Sequence, residues 1–338
     1  MLILSEAQIR SFYGIREALR DLLPALEAQQ AGQVQNPPRL VLESPGQAST
    51  LYMPSAIGEL GALGSKGALD NKGVLGSKVV SVFPQNPAQG RPTTQAVTLL
   101  TDAATGEHTA LLNASHLTRL RTGALTGIAA DHLARPDAGR LGVIGTGGMA
   151  PDQIRGVAAV RELRELRLFN LSADKAQQLA EALRPELPGT EILVAPSAEA
   201  LVEASDMVVT ATQSRTPVFD GAALQPGTFL SGIGSYLPSM REVDLVTVQR
   251  ADKIVLDTLE GPRHEAGELI YAQEQGLWSF EQVHSDLAGV ACGTRPGRET
   301  ADEIIFFKCV GAAYFDLAVA LGAYQEAQRR GLGTLAEV

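Results

Sequence analysis

The stretch Arg140-Leu-Gly-Val-Ile-Gly-Thr-Gly-Gly-Met-Ala150 has the spacing most suggestive of chemistry. An apolar run leads into Gly145-x-Gly147-x-x-Ala150, and a helical pattern follows. Gly145 permits a tight turn, Gly147 lets the backbone approach a pyrophosphate, and Ala150 allows close packing of helix on strand. Pro151 suits a first helical turn, where its missing N–H costs nothing. The free N–H groups and the helix dipole favour phosphate, so this loop predicts a bound NAD or NADP. The ribose of such a cofactor is read at the end of the second strand, Leu166-Arg-Leu-Phe-Asn170. An Asp at this position would repel a 2′-phosphate, whereas Asn170 does not. Ser172 and Lys175 could meet that phosphate, which leans the expectation towards NADP(H). Lys175 could equally be a solvated helix residue, with NAD bound instead. Thr210 and Thr212 follow a fourth apolar run, at the carboxyl end of a strand where ligands bind.

The elements that must position these residues follow from the pattern of apolar runs. Leu141–Ile144, Leu166–Phe169, Ile192–Val194, Met207–Val209, Phe229–Ile233 and Ile254–Leu256 alternate with helical or loop spacers. Six short apolar strands at this spacing predict a parallel sheet covered by helices on both faces. Upstream, Ile9, Phe12, Ile15, Ala18, Leu19, Leu22, Leu23 and Leu26 mark an amphipathic helix over 5–30, interrupted near Gly14. Strand-like runs at Leu40–Leu42, Ser49–Met53, Val79–Phe83, Ala96–Asp102 and Thr109–Leu112 predict a mostly antiparallel sheet. A long Ala-rich helix is expected over 303–330, ended by Gly331 and Gly333 and returning to pack on the first half. Gly61-Ala-Leu-Gly-Ser-Lys66 and Gly73-Val-Leu-Gly-Ser-Lys78 are near-copies. Two copies are too few for a solenoid. The Gly/Asn/Asp stretch between them reads as a surface loop.

Composition narrows the function. The 338 residues carry 28 Lys plus Arg against 38 Asp plus Glu, a formal charge of −10. That balance argues against non-specific binding of nucleic acid or anionic membrane, which need a basic face, but not against a small anion held by a few local cations. Two cysteines cannot build a disulfide framework or a four-thiolate zinc site. The five histidines lack ligand spacing, so no catalytic metal is expected. The run Met1–Glu6 is too short for a signal peptide, and no stretch is long and apolar enough for a membrane helix. The expectation is a cytoplasmic protein.

Several motifs, in order along nearly the whole chain, resemble the ornithine cyclodeaminase/mu-crystallin family. They are Pro37-Pro38-Arg39, Lys78-Val-Val-Ser-Val-Phe-Pro84-x-Asn86, Leu120-Arg-Thr-Gly-Ala124, the 145–150 loop, Pro296-Gly-Arg298 and Phe306-Phe-Lys-Cys-Val-Gly311. The resemblance implies an α/β chain with a Rossmann-type doubly wound parallel sheet plus an α+β domain. Residues 121–309 would bind NAD(P). Residues 1–120 with 310–338 would bind substrate and dimerise, with the site in the cleft between the domains. It implies that Arg39, Lys78 and Arg121 form the cluster for the substrate carboxylate. Charge-assisted donors suit that task, and arginine can bind a carboxylate bidentately. Lys66 is the competing lysine, but Val-Val-Ser-Val-Phe-Pro follows Lys78 directly. Thr93, Arg121 and Thr122 match positions near the cofactor phosphates and nicotinamide. Thr146, Gly148 and Met149 belong to the pyrophosphate turn, and Asn170 to the ribose site. Cys309 stands where a serine is usual. Val310 follows it, near substrate and nicotinamide.

One departure bears on the reaction. Ring-closing deaminases of the family carry an Asp at the position of Tyr236, and a polar residue at that of Met240. Ser235-Tyr236 offers only hydroxyls, and Glu242 and Asp244 lie too far along to be assumed substitutes. The leading expectation is therefore NAD(P)H-dependent reduction of a cyclic ketimine carboxylate, or related amino-acid dehydrogenation. The carboxylate would dock on Arg39, Lys78 and Arg121. Lys78 would supply or relay a proton, and Tyr236 would orient the substrate nitrogen. Ornithine cyclodeamination and non-catalytic binding of a small ligand with NADP remain the alternatives. The expected partners are the small substrate and a second copy of the chain, with no nucleic acid and no membrane.

Overall fold

The computed structural model describes residues 1–46, 48–58 and 73–337. Lys66 and the stretch between the near-copies lie outside the described residues. The chain divides into two compact units, Met1–Arg121 with Ala312–Val338, and Thr122–Gly311.

The first unit is built on an eight-stranded sheet. Its order is Thr334–Leu335, Leu2–Leu4, His108–Asn113, Thr94–Asp102, Val74–Val82, Ala48–Ile57 and Val34–Gln35, with Leu40–Ser44 also paired to Ala48–Ile57. All pairings are antiparallel except Leu2–Leu4 with His108–Asn113. The two-residue period of a strand sends alternate side chains to opposite faces. Leu51, Met53, Val80 and Ala96 are buried against Ala313. Leu40, Tyr52 and Val97, on the opposite face, are exposed. The last helix, Ala313–Arg330, packs on the buried face and on the helix Ile15–Gln30. It ends at Gly331, whose φ of 64° is left-handed.

The second unit holds an eight-stranded, wholly parallel sheet. Its order is Glu191–Val194, Glu165–Phe169, Arg140–Ile144, Met207–Thr210, Phe229–Gly232, Ile305–Lys308, Lys253–Leu256 and Ser285–Asp286. Strand order reverses beside Arg140–Ile144, the doubly wound arrangement whose switch point receives ligands.

Two expectations need correction. The sheet has eight strands where six were expected. One of the added strands, Ile305–Lys308, falls inside the expected 303–330 helix. Ile304-Ile-Phe-Phe307 is a short, β-branched and aromatic run that fits between two buried neighbours. Gly311, at a φ of 85°, then breaks the chain before the helix starts at Ala313. The helix Ser115–Leu133, which carries Arg121 and Thr122, has no counterpart in the sequence reading.

Candidate functional site

In the first unit, alternation along Val74–Val82 places Lys78 on the buried face, level with Met53 and Thr98 on the flanking strands. Two residues earlier stands Gly76, where a Cβ would sit 2.6 Å from the Leu317 side chain. Glycine there lets the last helix approach the strand closely, which brings Asp316 to Lys78. The Lys78 Nζ donates to Asp316 Oδ2 at 2.6 Å, and the Arg121 Nε donates to Asp316 Oδ1 at 3.0 Å. Lys78 and Asp316 are each 3% exposed. Arg39, half-exposed, completes the cluster through its electrostatic action on Lys78. Burial brings the Lys78 ammonium down to about 8, with Arg121 and Arg39 pushing the same way and Asp316 opposing them. Burial raises the Asp316 carboxyl, but Arg121 and Lys78 outweigh it and hold the group below the usual range. Thr93, half-buried, lies in the loop before Thr94–Asp102, and its carbonyl accepts from the Phe83 N–H.

In the second unit, the candidate residues gather at the carboxyl ends of adjacent strands. Gly145 has a φ of 94°, and a Cβ on it would lie 2.7 Å from the Ala211 carbonyl oxygen. The two loops at the switch point thus meet through backbone. Nothing lies within 4 Å of the Cβ positions of Gly147 and Gly148. These exposed glycines leave open space before the helix Ala150–Ala158, as a pyrophosphate approaching its N-terminus requires. The residues present therefore fit the dinucleotide. The Thr146 N–H donates to Asn170 Oδ1 at 3.3 Å, and Asn170 Nδ2 donates to the Ser172 carbonyl at 3.2 Å. This pairing fixes the Asn170 side chain against the Gly145–Ala150 loop. Ser172 and Lys175 are exposed beside it, Met149 is half-buried, and Thr122 is buried.

The neighbouring loops are tied down by one carboxylate. Glu242 accepts from the N–H and hydroxyl of Thr212 at 2.6 and 2.9 Å, and from the N–H groups of Gly234 and Ser235 at 2.7 and 3.1 Å. Burial, with the Glu268 carboxylate nearby, pushes Glu242 upward against Lys308 and these donors. Ser235 donates to Glu268, and Lys308 Nζ lies 2.9 Å from Glu268 and 2.7 Å from the Ser235 carbonyl. Tyr236, half-buried, follows this clamp. Asp257 Oδ2 accepts from the N–H groups of Val310 and Gly311, and the Cys309 N–H donates to the Gly232 carbonyl. Thr210 is fully buried at its strand end. Met240 is buried too.

Sequence reasoning missed Asp316, Asp257 and the Lys308–Glu268 pair, and it weighed Glu242 only as a substitute for an Asp at the position of Tyr236, not as a clamp on two loops. A signal existed for two of them. Lys308 and Asp316 are the only charged residues between Glu303 and Glu326. A charge inside such an apolar stretch must be paired when buried.

A doubly wound sheet with an open glycine turn at its switch point is the arrangement of a dinucleotide-binding protein. The chain belongs to the ornithine cyclodeaminase/mu-crystallin family, whose family model matches residues 1–331. It is 35% identical over 334 residues to a Delta(1)-pyrroline-2-carboxylate reductase of Bacillus cereus, covering 98% of each chain. Its fold matches a Thermococcus litoralis Delta(1)-pyrroline-2-carboxylate reductase solved with NADH and L-proline. The TM-score is 0.91 at 33% identity, over 99% of this chain and 100% of that one. An archaeal alanine dehydrogenase dimer with bound NAD matches at a TM-score of 0.90 and 31% identity, over 100% of this chain and 99% of that one. The protein is an NAD(P)-dependent oxidoreductase of this family, acting on C–N bonds.

Proposed function

We propose that the protein reduces a cyclic ketimine carboxylate, of the pyrroline-2-carboxylate or piperideine-2-carboxylate type, to the cyclic amino acid. The observation that carries this reading is the buried cluster in which Lys78 and Arg121 share Asp316 beside Arg39. The cluster sets two guanidinium groups and an ammonium where an anionic substrate can be met by charge-assisted donors, and the burial of Lys78 and Asp316 makes contacts there strong. Arg121 and Arg39 bind the substrate carboxylate. The Lys78 ammonium donates the proton that the imine nitrogen gains as its double bond becomes single. The reduced nicotinamide, when bound, supplies the hydride to the imine carbon. Tyr236 orients the substrate nitrogen. Thr93, Thr122, Thr210, Thr212, Cys309 and Val310 form the surroundings of nicotinamide and phosphates. Amino-acid dehydrogenation uses the same redox half-reaction in reverse.

Cyclodeamination is disfavoured by the chemistry around Tyr236. The carboxylates nearest in sequence are already committed. Glu242 takes four donors, and Asp244 caps the helix Leu245–Arg250 while accepting from the Gly221 N–H.

NADP(H) is the preferred cofactor in this reading, because Asn170 brings no charge against a 2′-phosphate and Lys175 stands nearby. The working form is a cytoplasmic homodimer. Leu40, Tyr52, Val79 and Val97 are successive partners across four strands on the face away from the last helix. Leu40, Tyr52 and Val97 are 59%, 38% and 42% exposed, an apolar row suited to a second copy. The archaeal alanine dehydrogenase that this chain resembles is a dimer, which supports a dimeric form. A spectrophotometric screen of cyclic ketimine carboxylates with NADH and NADPH in parallel tests substrate class and cofactor together. Oxidation of either nucleotide by a five- or six-membered ketimine is expected. Turnover of ornithine without net change in nicotinamide absorbance would instead favour cyclodeamination.

A further inference from the structure

We propose that Asp316 is the positioning residue of the cationic cluster: its single carboxylate keeps Lys78 an ammonium and holds Arg121 in register beside it. The inference rests on the reading of Lys78 as proton donor. Each Asp316 oxygen is committed to one cation, Oδ2 to Lys78 at 2.6 Å and Oδ1 to Arg121 at 3.0 Å. The carboxylate is anchored in the first turn of the helix Ala313–Arg330, where the helix dipole favours an anion. Close packing at Gly76 fixes that helix on the Lys78 strand. The carboxylate therefore has little freedom, and it restrains both cations.

Charge explains why an acid is needed there. The charged groups acting on Lys78 are Asp316 from the last helix, Arg121 from the helix Ser115–Leu133, and Arg39 ahead of the strand Leu40–Ser44. Its cross-strand neighbours, Met53 and Thr98, carry none. Two guanidinium groups and burial all favour loss of the Lys78 proton, and among the described residues Asp316 is the carboxylate that acts against them. The ammonium is the donating form. Activity is thus present below the Lys78 pKa, about 8, and is lost as pH rises through it. Removing the Asp316 charge moves that loss to lower pH. Binding the substrate carboxylate adds a second anion, so the limb in kcat should lie above the limb in kcat/KM.

The test is the pH profile of kcat/KM for pyrroline-2-carboxylate reduction by the wild-type enzyme, Asp316→Asn and Asp316→Glu, with NADPH affinity measured by fluorescence in each. Asp316→Asn is expected to shift the alkaline limb down by about one to three units. Asp316→Glu is expected to return it towards the wild type, with NADPH affinity the same in all three. A uniform loss of rate with the limb unmoved would mean a purely structural role and overturns the inference. Asp316→Ser, also uncharged, carries the same expectation should the Asn variant not fold. If the wild-type enzyme reduces no cyclic ketimine, the proposed function fails separately. The inference is then read by 15N NMR titration of the Lys78 Nζ, assigned with Lys78→Arg. A lower midpoint in Asp316→Asn supports it, and an unchanged midpoint overturns it.

Discussion

Lys78 and Asn170 carry the two claims that single substitutions can separate. Lys78→Met removes the proton donor and one contact of the cluster. It should lower kcat/KM for a cyclic ketimine by about 100-fold or more, with NADPH affinity unchanged in a fluorescence titration. Lys66→Met should alter neither, and the opposite result would assign the role to the other near-copy. Asn170→Asp sets a carboxylate against the 2′-phosphate. It should weaken NADPH binding about tenfold, or about 1.4 kcal/mol, and spare NADH. Equal effects on both cofactors would remove Asn170 from the discrimination. Lys78, Arg121 and the 145–150 loop could be singled out from the sequence because their motifs are local. Asp316 was not, because its meaning depends on a partner 238 residues away in sequence. Glu242 was equally hidden. A carboxylate serving backbone N–H groups of two loops leaves no mark in residue spacing.

Among the elements, the pairing of the Lys78 strand with the last helix matters most. Gly76→Ala puts a Cβ 2.6 Å from Leu317 and 2.9 Å from the Leu99 carbonyl oxygen. Overpacking of this kind costs about 1–3 kcal/mol. The variant should melt several degrees lower in calorimetry and bind substrate less well, because the helix that moves carries Asp316. An unchanged melting temperature with unchanged substrate KM would show that the contact is not needed. The parallel strands before residue 260 were readable from their apolar runs. Ile305–Lys308 was not, since a short apolar run beside a helix does not declare its own period. The helix Ser115–Leu133 escaped for a related reason: it is buried on most sides and shows no amphipathic stripe.

At the scale of the whole molecule, the formal charge of −10 sets the anionic ligands against a repelling field. Their binding then depends on the few cations placed locally and on one helix N-terminus. The exposed apolar row on the first unit makes a separate claim. Tyr52→Glu with Val97→Lys puts charges into that row and should convert a dimer to monomers in multi-angle light scattering. A dimer that survives both changes would place the interface elsewhere. A two-part organisation was expected from the sequence, because the character of the apolar runs changes near residue 140 and the family motifs run through both parts. The return of the last helix to the first unit was also expected, though the helix starts later than its apolar content suggested.

The central claim is a net reduction of a cyclic imine carboxylate. Its most direct measurement is the product balance after pyrroline-2-carboxylate is incubated with the enzyme and NADPH or NADH. One proline should form for each nicotinamide oxidised, in wild-type enzyme and far more slowly in Lys78→Met. Absence of nucleotide oxidation with both five- and six-membered ketimines, or proline formed from ornithine with no nucleotide consumed, would contradict it.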